Sequence, residues 1–167
     1  MNRSFVLTII GPDRPGVVEA LSSVVADHDG NWVESRMSRL AGQFAGILRV
    51  MLPATNADAF ERSALALESQ DLRVQLASID AEPESSPDRR VRLELTGQDR
   101  PGIVRQISAA VARHGVNVEE LTTERGSAAM TGEEIFGVRA ELRVPGSTSL
   151  DELRDELDRV ASDLLVE

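Results

Sequence analysis

One six-residue pattern occurs twice in this chain of 167 residues. Residues 11–16 read Gly-Pro-Asp-Arg-Pro-Gly, and residues 97–102, which lie 86 positions further on, read Gly-Gln-Asp-Arg-Pro-Gly. Each copy follows a run rich in β-forming residues and precedes a helical pattern of apolar residues, so each is predicted to be a strand-to-helix turn. The same spacing separates Asn31 from Asn117. The chain is therefore predicted to be an internal duplication of one folding unit.

Apolar periodicity predicts the same order of elements in both copies, namely strand, helix, strand, strand, helix and strand. The first copy has predicted strands at 3–10, 31–40, 44–52 and 72–79 and predicted helices at 17–27 and after Asn56, which is expected to cap the second helix. The second copy has predicted strands at 90–96, 117–123, 135–144 and 163–166 and predicted helices at 101–113 and 150–161. The order βαββαβ is that of the ferredoxin-like α+β unit, an antiparallel sheet with both helices on one face.

The predicted domain organisation is one unit at residues 1–81, a linker at 82–89 and a second unit at 90–167. Two prolines and two serines between the units, without apolar periodicity, favour a short linker. Beyond the second strand the spacing between the copies grows from 86 to 92, which places a six-residue insertion within residues 125–134. This polar, glycine-bearing insertion is either a lid over a site or a mobile loop, and its composition favours the mobile loop.

The two turns are expected to be suited to an anion. Pro15 and Pro101 are predicted to occupy the first helical position, where a missing N–H costs no intrahelical hydrogen bond. The preceding Asp13 and Asp99 can accept from the next free N–H groups. The side chains of Val18 and Val104 are expected to face the core, together with the other apolar residues of the first helix in each unit. A helix N-terminus with free amides suits a carboxylate or a phosphate.

Composition excludes several classes of function. The net charge of -10 and the pI near 4.7 argue against a nucleic-acid surface, which needs a basic patch. The chain has no cysteine and two histidines, and it carries none of the common hydrolase, phosphate-loop or zinc-protease motifs, so neither an enzyme, nor a metal site, nor a cofactor is expected. Without an apolar stretch of about 18 residues, no membrane contact is expected and the protein is predicted to be cytoplasmic.

The duplicated unit closely resembles the ACT domain, a small regulatory module that binds amino acids. The resemblance rests on Gly-x-Asp-Arg-Pro-Gly after the first strand and on Asn at the start of the second, and it covers nearly the whole chain. Residues 31–37, Asn-Trp-Val-Glu-Ser-Arg-Met, further resemble the glycine cleavage system transcriptional repressor type and the ACT portions of formyltetrahydrofolate deformylases and some phosphoserine phosphatases. Since too few residues follow Val144 for a catalytic domain, a stand-alone repressor-like protein is expected.

The resemblance implies ligand binding at the turn after the first strand and at the start of the second strand, where two ACT units meet. In this chain the implied ligand-binding residues are Asp13, Arg14, Gly16 and Asn31 in the first copy and Asp99, Arg100, Gly102 and Asn117 in the second. Serine-sensing members of the family carry histidine at the position of Gly11.

The expected function is that of a regulatory protein that senses a small amino acid, glycine or serine by resemblance, and acts through a protein partner such as a transcriptional activator. Two alternatives are an allosteric subunit of an amino-acid or folate enzyme and a direct DNA-binding regulator. A homodimer is a further expectation, because Val6, Ile10, Ile47 and Met51 fall on the strand face that the unit's own helices do not cover. The second unit is the other candidate to cover them.

Overall fold

Each half of the chain is built around an antiparallel β-sheet. The structure, a computed structural model, describes residues 1–79, 88–127 and 134–162. The chain divides into unit 1, Met1–Glu84, and unit 2, Ser85–Glu167. The predicted linker at 82–89 lies mostly outside the described residues, and its bounds stay a prediction.

Unit 1 is a four-stranded antiparallel sheet with its helices on one face. Its elements are β1 (Asn2–Pro12), α1 (Val17–Ala26), β2 (Asn31–Leu40), β3 (Gln43–Pro53), α2 (Ala57–Leu65) and β4 (Arg73–Ile79), with short 3₁₀ turns at Ala54–Asn56 and Ala66–Gln70. The strand order is β2-β3-β1-β4. This is the ferredoxin-like arrangement that the order of elements predicts.

Unit 2 repeats the arrangement in its described residues. Its elements are β5 (Arg89–Gln98), α3 (Ile103–Arg113), β6 (Asn117–Ser127), β7 (Glu134–Val144) and α4 (Leu150–Ser162). The strand order is β5-β7-β6, which matches β1, β3 and β2 of unit 1. The predicted last strand at 163–166 lies outside the described residues. The α+β fold class is confirmed.

The strand registers give the sheet of each unit a buried face and an open face. In unit 1 Leu7 lies opposite Leu48 on one side and Leu76 on the other, and Leu7 and Leu48 are both buried. The core of unit 1 is completed by Phe60 and Leu21 from the two helices, which cover this face. In unit 2 the corresponding layer is formed by these buried residues: Leu95, Val138, Ala140, Leu142, Ile107, Val111, Leu153 and Leu157.

Three local predictions are wrong. Val18 and Val104, expected in the core, are 48% and 41% exposed, because α1 and α3 turn these equivalent positions outward. The side chain of Asn56 does not cap α2; its Nδ2 donates to the carbonyl of His28 at 2.9 Å and to Oδ2 of Asp29 at 3.2 Å. That pair of bonds ties the start of α2 to the turn that follows α1.

The insertion is partly strand rather than loop. Residues 125–127 continue β6, Glu134 begins β7, and Ser127 pairs with Glu134. The insertion therefore lengthens a hairpin at both of its described ends. Residues 128–133 lie outside the described residues, so the choice between a lid and a mobile loop stays a prediction.

The first testable prediction concerns the left-handed glycine before α3. Gly102 has φ 88°, and a Cβ there would meet no atom within 4 Å, so Gly102→Ala isolates the backbone cost. We expect a loss of about 1 kcal/mol in the free energy of unfolding of unit 2, measured by urea denaturation. The control is Gly146→Ala, which has equal space and no left-handed backbone and should be neutral or slightly stabilising. Equal effects of the two substitutions would contradict the prediction.

The second testable prediction concerns Glu156 of α4, which joins this helix to the end of α3. Nε of Arg113 donates to Oε1 of Glu156 at 2.9 Å, and Nε2 of His114 lies 2.8 Å from Oε2. The hydrogen bond from Arg113 first, and that from His114 second, hold the pKa of Glu156 below its ordinary value of 4.5.

The carboxylate of Glu156 takes up its proton at a higher pH in the unfolded chain than in the folded chain. Its hydrogen bonds to Arg113 and His114 therefore stabilise unit 2 above about pH 4.5. That contribution is lost as the pH falls from 4.5 through the lowered pKa of Glu156. We expect Glu156→Gln to weaken the dependence of stability on pH in this window, measured by urea unfolding. Glu152→Gln, on the same helix and exposed, is the matched control. An unchanged pH profile in Glu156→Gln would contradict the assignment.

Candidate functional site

Both helices that follow a repeated turn begin on a left-handed glycine. Gly16 precedes α1 with φ 92° and Gly102 precedes α3 with φ 88°, a conformation that residues with a Cβ rarely adopt. No side chain caps either helix. Pro15 and Pro101 lie in the turn before the glycine rather than at the first helical position, so that prediction is wrong. The result is a pair of helix starts whose first N–H groups are left without a side-chain acceptor.

Asp13 pairs with an arginine from the end of β2 instead of capping α1. Its Oδ2 lies 3.0 Å from Nε of Arg39, and its backbone N–H donates to the carbonyl of Gly42 at 2.9 Å. The side chain of Asp13 is 33% exposed and that of Arg39 is 72% exposed. The turn of unit 1 is thus held against the tip of the β2–β3 hairpin.

The same pair occurs at the equivalent positions of unit 2. Oδ2 of Asp99 lies 2.6 Å from Nε of Arg125, and the backbone N–H of Asp99 donates to the carbonyl of Glu134 at 3.0 Å. Arg125 also bonds Oε2 of Glu134 at 2.7 Å through Nη2. We refer to the pairs Asp13–Arg39 and Asp99–Arg125 as the Asp–Arg latch. The aspartates, predicted to accept from helix N–H groups, therefore have arginine partners.

The arginines of the repeated pattern contact different parts of their units. Nη2 of Arg14 donates to the carbonyl of Gln70 at 2.6 Å, which ties the turn to the segment before β4. Nη2 of Arg100 donates to Oε1 of Gln106, on the first turns of α3, at 2.5 Å. Nε of Arg100 is buried and has no hydrogen-bond partner among the described residues. Arg14 is exposed and Arg100 half-buried.

The first helical turns of the two units differ in charge. The third helical position is Glu19 in α1 and Arg105 in α3. Oε2 of Glu19 lies 4.0 Å from the place where a Cβ on Gly16 would be, whereas a Cβ on Gly102 would meet nothing within 4 Å. An acid near the start of a helix satisfies its partial positive charge, so the start of α3 is the more attractive of the two for a carboxylate.

The asparagines do not lie near the turn of their own unit. Asn31 is level with Met51 of β3, while Gly11 is level with Phe44, seven residues away along the same strand. At about 3.3 Å per residue this separation is about 23 Å, far longer than any amino acid. The register of unit 2 gives the same separation between Asn117 and Gly97. A ligand that contacts both the turn and the asparagine needs two ACT units.

Gly11 is crowded by the chain itself. A Cβ at this position would lie 2.6 Å from the carbonyl oxygen of Asp71 and 2.8 Å from Cδ2 of Leu72. The absence of a side chain therefore lets the end of β1 pack against the start of β4. Beside it, an open groove of about 600 Å³ runs past the turn and is lined by Ile10, Gly11, Pro12, Gln43, Glu68, Asp71 and Arg73.

Sequence reasoning missed Arg39 and Arg125, although a signal for them was present. The two arginines are 86 residues apart, the spacing that relates Asp13 to Asp99. Their role depends on a contact across the sheet, which periodicity within one segment does not reveal.

The chain belongs to the ACT domain family, since one ACT domain model matches residues 3–78 and another matches residues 87–162. It is a tandem ACT domain protein that resembles glycine cleavage system transcriptional repressors. One such repressor, from Escherichia coli (strain K12), is 27% identical over 120 residues, which cover 71% of this chain and 63% of the relative. The match thus spans less than two thirds of the relative's length.

Two solved structures share the architecture. A protein of unknown function from Galdieria sulphuraria superposes with a TM-score of 0.85 at 30% identity, over 100% of this chain and 96% of the other. A protein described as a candidate glycine cleavage system transcriptional repressor superposes with a TM-score of 0.71 over 100% and 95% of the two chains. At 18% identity, this second likeness shows the fold alone.

Two structural absences apply to the described residues only. Within residues 1–79, 88–127 and 134–162, no helix has the length and apolar character needed to cross a bilayer. In the same ranges, no three His, Cys, Asp or Glu side chains are grouped so that they could hold a metal ion.

The third testable prediction concerns the Asp–Arg latch of unit 1. We expect Arg39→Gln to raise the hydrogen-exchange rate of the Asp13 amide, which donates to the carbonyl of Gly42, severalfold, because the turn loses an anchor. The global free energy of unfolding should change by less than about 1 kcal/mol, since the pair is exposed. The charge-swapped double variant Asp13→Arg/Arg39→Asp should restore slow exchange. Arg36→Gln, on the same strand, is the control, and the prediction fails if it loosens the turn equally.

Proposed function

We propose that the chain is an amino-acid sensor in which the α-carboxylate of a small amino acid binds amides at the start of an ACT helix that no side chain caps. The observation that carries this proposal is the start of α3, where Gly102 leaves the space above the uncapped helix open. Backbone N–H groups aimed at one point, together with the helix dipole, favour a bound carboxylate. The family membership supports the same choice of ligand class.

The second proposed ligand contact is an asparagine. The amide oxygen of Asn31 or Asn117 can accept a hydrogen bond from the ligand's ammonium group. Both asparagines are exposed, which leaves them available for this contact. Since each lies far from the turn of its own unit, an asparagine and the turn of the same unit cannot hold one ligand together.

In the proposed site the residues of the repeated pattern have separate roles. Gly16 and Gly102 open the helix start, and Arg14 and Arg100 supply positive charge beside it. Asp13 and Asp99 act through the Asp–Arg latch, which sets the position of the turn. A direct bond from these aspartates to an ammonium group would compete with the arginines that hold them.

Unit 2 is proposed to bind more tightly than unit 1. The carboxylate of Glu19 lies near the start of α1, where it competes electrostatically with a ligand's carboxylate. Arg105 at the same position of α3 attracts it instead. Arg100 in the turn and Arg105 in the first turn of α3 thus put two positive charges at the start of this helix.

The proposed output is a protein contact. Bound ligand can shift the population of two packings only as far as its affinity for them differs. The net charge of -10 favours a protein partner over DNA. The name of the Escherichia coli relative points to transcription as the regulated process and to glycine as the first ligand to test, with serine second.

The fourth testable prediction is a thermal-shift screen of the full chain against the common amino acids. A ligand at about 100 times its Kd stabilises the folded form by about 2.7 kcal/mol, enough to raise Tm by about 5 °C or more. We expect glycine or serine to raise Tm. Arg105→Glu should raise the ligand concentration needed for half of the Tm shift at least tenfold. Glu19→Arg should not raise it.

Controls separate the site from general effects of charge. Arg154→Glu, on the exposed face of α4, changes the net charge by the same amount as Arg105→Glu and should leave the Tm response unchanged. No shift with any amino acid would contradict sensing. A shift that survives each of Arg105→Glu, Asn31→Ala and Asn117→Ala would place the ligand elsewhere. Retardation of DNA with a steep salt dependence would favour a DNA-binding regulator instead.

A further inference from the structure

An open groove of about 490 Å³ runs along the outer edge of β5 in unit 2, between this strand and α4. Its apolar lining comes from β5, β7 and α4: Leu93, Leu95, Leu142, Leu153, Leu157 and Ala161. In unit 1 the equivalent edge, that of β1, pairs with β4. Within the described part of unit 2, β5 pairs with β7 alone. This β5 groove therefore lies where unit 1 has a strand.

The last helices of the two units correspond at a spacing of 93 residues. Three positions that pack in the core of each unit show this correspondence: Phe60 with Leu153, Ala64 with Leu157, and Leu67 with Val160. The helical residues 57–70 of unit 1 thus correspond to 150–163. At the same spacing residues 164–167 correspond to 71–74, where the chain of unit 1 turns and enters β4.

A buried nitrogen in the turn that follows β5 lacks a partner. Nε of Arg100 makes no hydrogen bond to residues 1–79, 88–127 or 134–162. A buried donor without an acceptor is costly, so native structures rarely leave one in that state. In unit 1 the equivalent arginine, Arg14, donates through Nη2 to the carbonyl of Gln70 at 2.6 Å. The residue 93 positions after Gln70 is Asp163, which directly follows α4.

The repeated pattern in unit 1 also makes an apolar contact with the segment that enters β4. Cδ2 of Leu72 lies 2.8 Å from the place where a Cβ on Gly11 would be, and Leu72 is fully buried. Unit 2 has the same two residue types at the equivalent positions, Gly97 and Leu165. The residues on either side of Leu72 are exposed, so the equivalence singles out Leu165 as the leucine to be buried.

We propose that residues 163–167, Asp-Leu-Leu-Val-Glu, dock at the end of the β5 groove beside the repeated turn and supply the missing partner of Arg100. An oxygen of Asp163 accepts a hydrogen bond from the Arg100 guanidinium, and Leu165 packs against Gly97. α4 directs the chain to this place, because Ala161 near its end and Thr96 just before the turn line the same groove.

The proposed docking gives Arg100 a positioning role. The Asp–Arg latch already ties the turn of unit 2 to β6 through Asp99 and Arg125. The bond from Arg100 to residues 163–167 ties the same turn to the chain that leaves α4. The start of α3 follows this turn, so the docked segment also fixes the helix start at which a carboxylate is proposed to bind. Only this last consequence rests on the proposed function.

The fifth testable prediction compares two adjacent leucines by thermal unfolding of the full chain. Leu165→Asp puts a charge at the position to be buried and should lower Tm by about 5 °C or more. Leu164→Asp makes the same change of charge and is the matched control. It installs the residue type that unit 1 has at the equivalent position, Asp71, whose φ is 62°. Because Asp tolerates this conformation, Tm should fall by less than about 2 °C or rise.

A disulfide tests the location of the segment without relying on stability, because the chain contains no cysteine. In unit 1 Ile10 pairs with Arg73, and the equivalent pair in unit 2 is Thr96 with Val166. Thr96→Cys/Val166→Cys should therefore form an intramolecular disulfide under mild oxidation. Arg92→Cys/Val166→Cys is the control. Its first thiol lies four residues, about 13 Å, further along β5, beyond the reach of a disulfide.

The tie to Arg100 is tested by combining substitutions. Arg100→Ala should lower Tm in the wild-type chain and should lower it by less than half as much in the Leu165→Asp chain, because the docked segment is then already lost. Arg105→Ala, at an exposed position of the same helix start, should have the same effect in both chains.

Three results would overturn the proposal. They are a Tm that falls equally in Leu165→Asp and Leu164→Asp or in neither, a disulfide that forms no more readily from Thr96→Cys than from Arg92→Cys, and an effect of Arg100→Ala that is the same in both chains. If Leu165→Asp does not fold, the disulfide alone decides. None of these measurements involves an amino-acid ligand, so their failure is distinct from a failure of the screen for sensing.

Discussion

The register between β1 and β3, and between β5 and β7 in unit 2, is the constraint on which the other features depend. Because side chains alternate along a strand, a slip of one residue between β1 and β3 would exchange the buried and open faces. The observed register puts Leu7 against Leu48 under the helices and leaves Ile47 on the other side. It also fixes which end of the sheet carries the turn and which carries Asn31. Core, open face and candidate site all follow from this one pairing.

Much of the fold could be predicted because its signals are local and repeated. Alternation in residues 3–10 and helical spacing after Gly16 are visible within single segments, and the duplication supplies each of them twice. The exposure of Val18 could not be predicted in this way, because it depends on how α1 is rotated over the sheet. Its equivalent in α3, Val104, has the same outward placement. Agreement between the two copies therefore supports the helical periodicity but does not show which residues of the helix face the core.

The candidate site was less predictable because its contacts join distant parts of the chain. Local spacing suggests that Asp13 caps the following helix, and only the sheet brings Arg39 close enough to pair with it. Likewise, the sequence places Asn31 soon after the first helix, but the helix carries the chain back along the sheet to its far end. The repeated pattern thus identifies a well-positioned turn, and the register determines what can and cannot lie beside it.

The packing around Gly11 restricts how this protein can diverge. Any side chain at that position must displace the backbone at Asp71, and with it the start of β4. A new chemical preference at the end of unit 1 therefore cannot arise by a single exchange of this residue. It would have to come from an exposed neighbour such as Glu19, which can vary without moving a strand. Evolution, or a designed library, has freedom around the turn but not at its first residue.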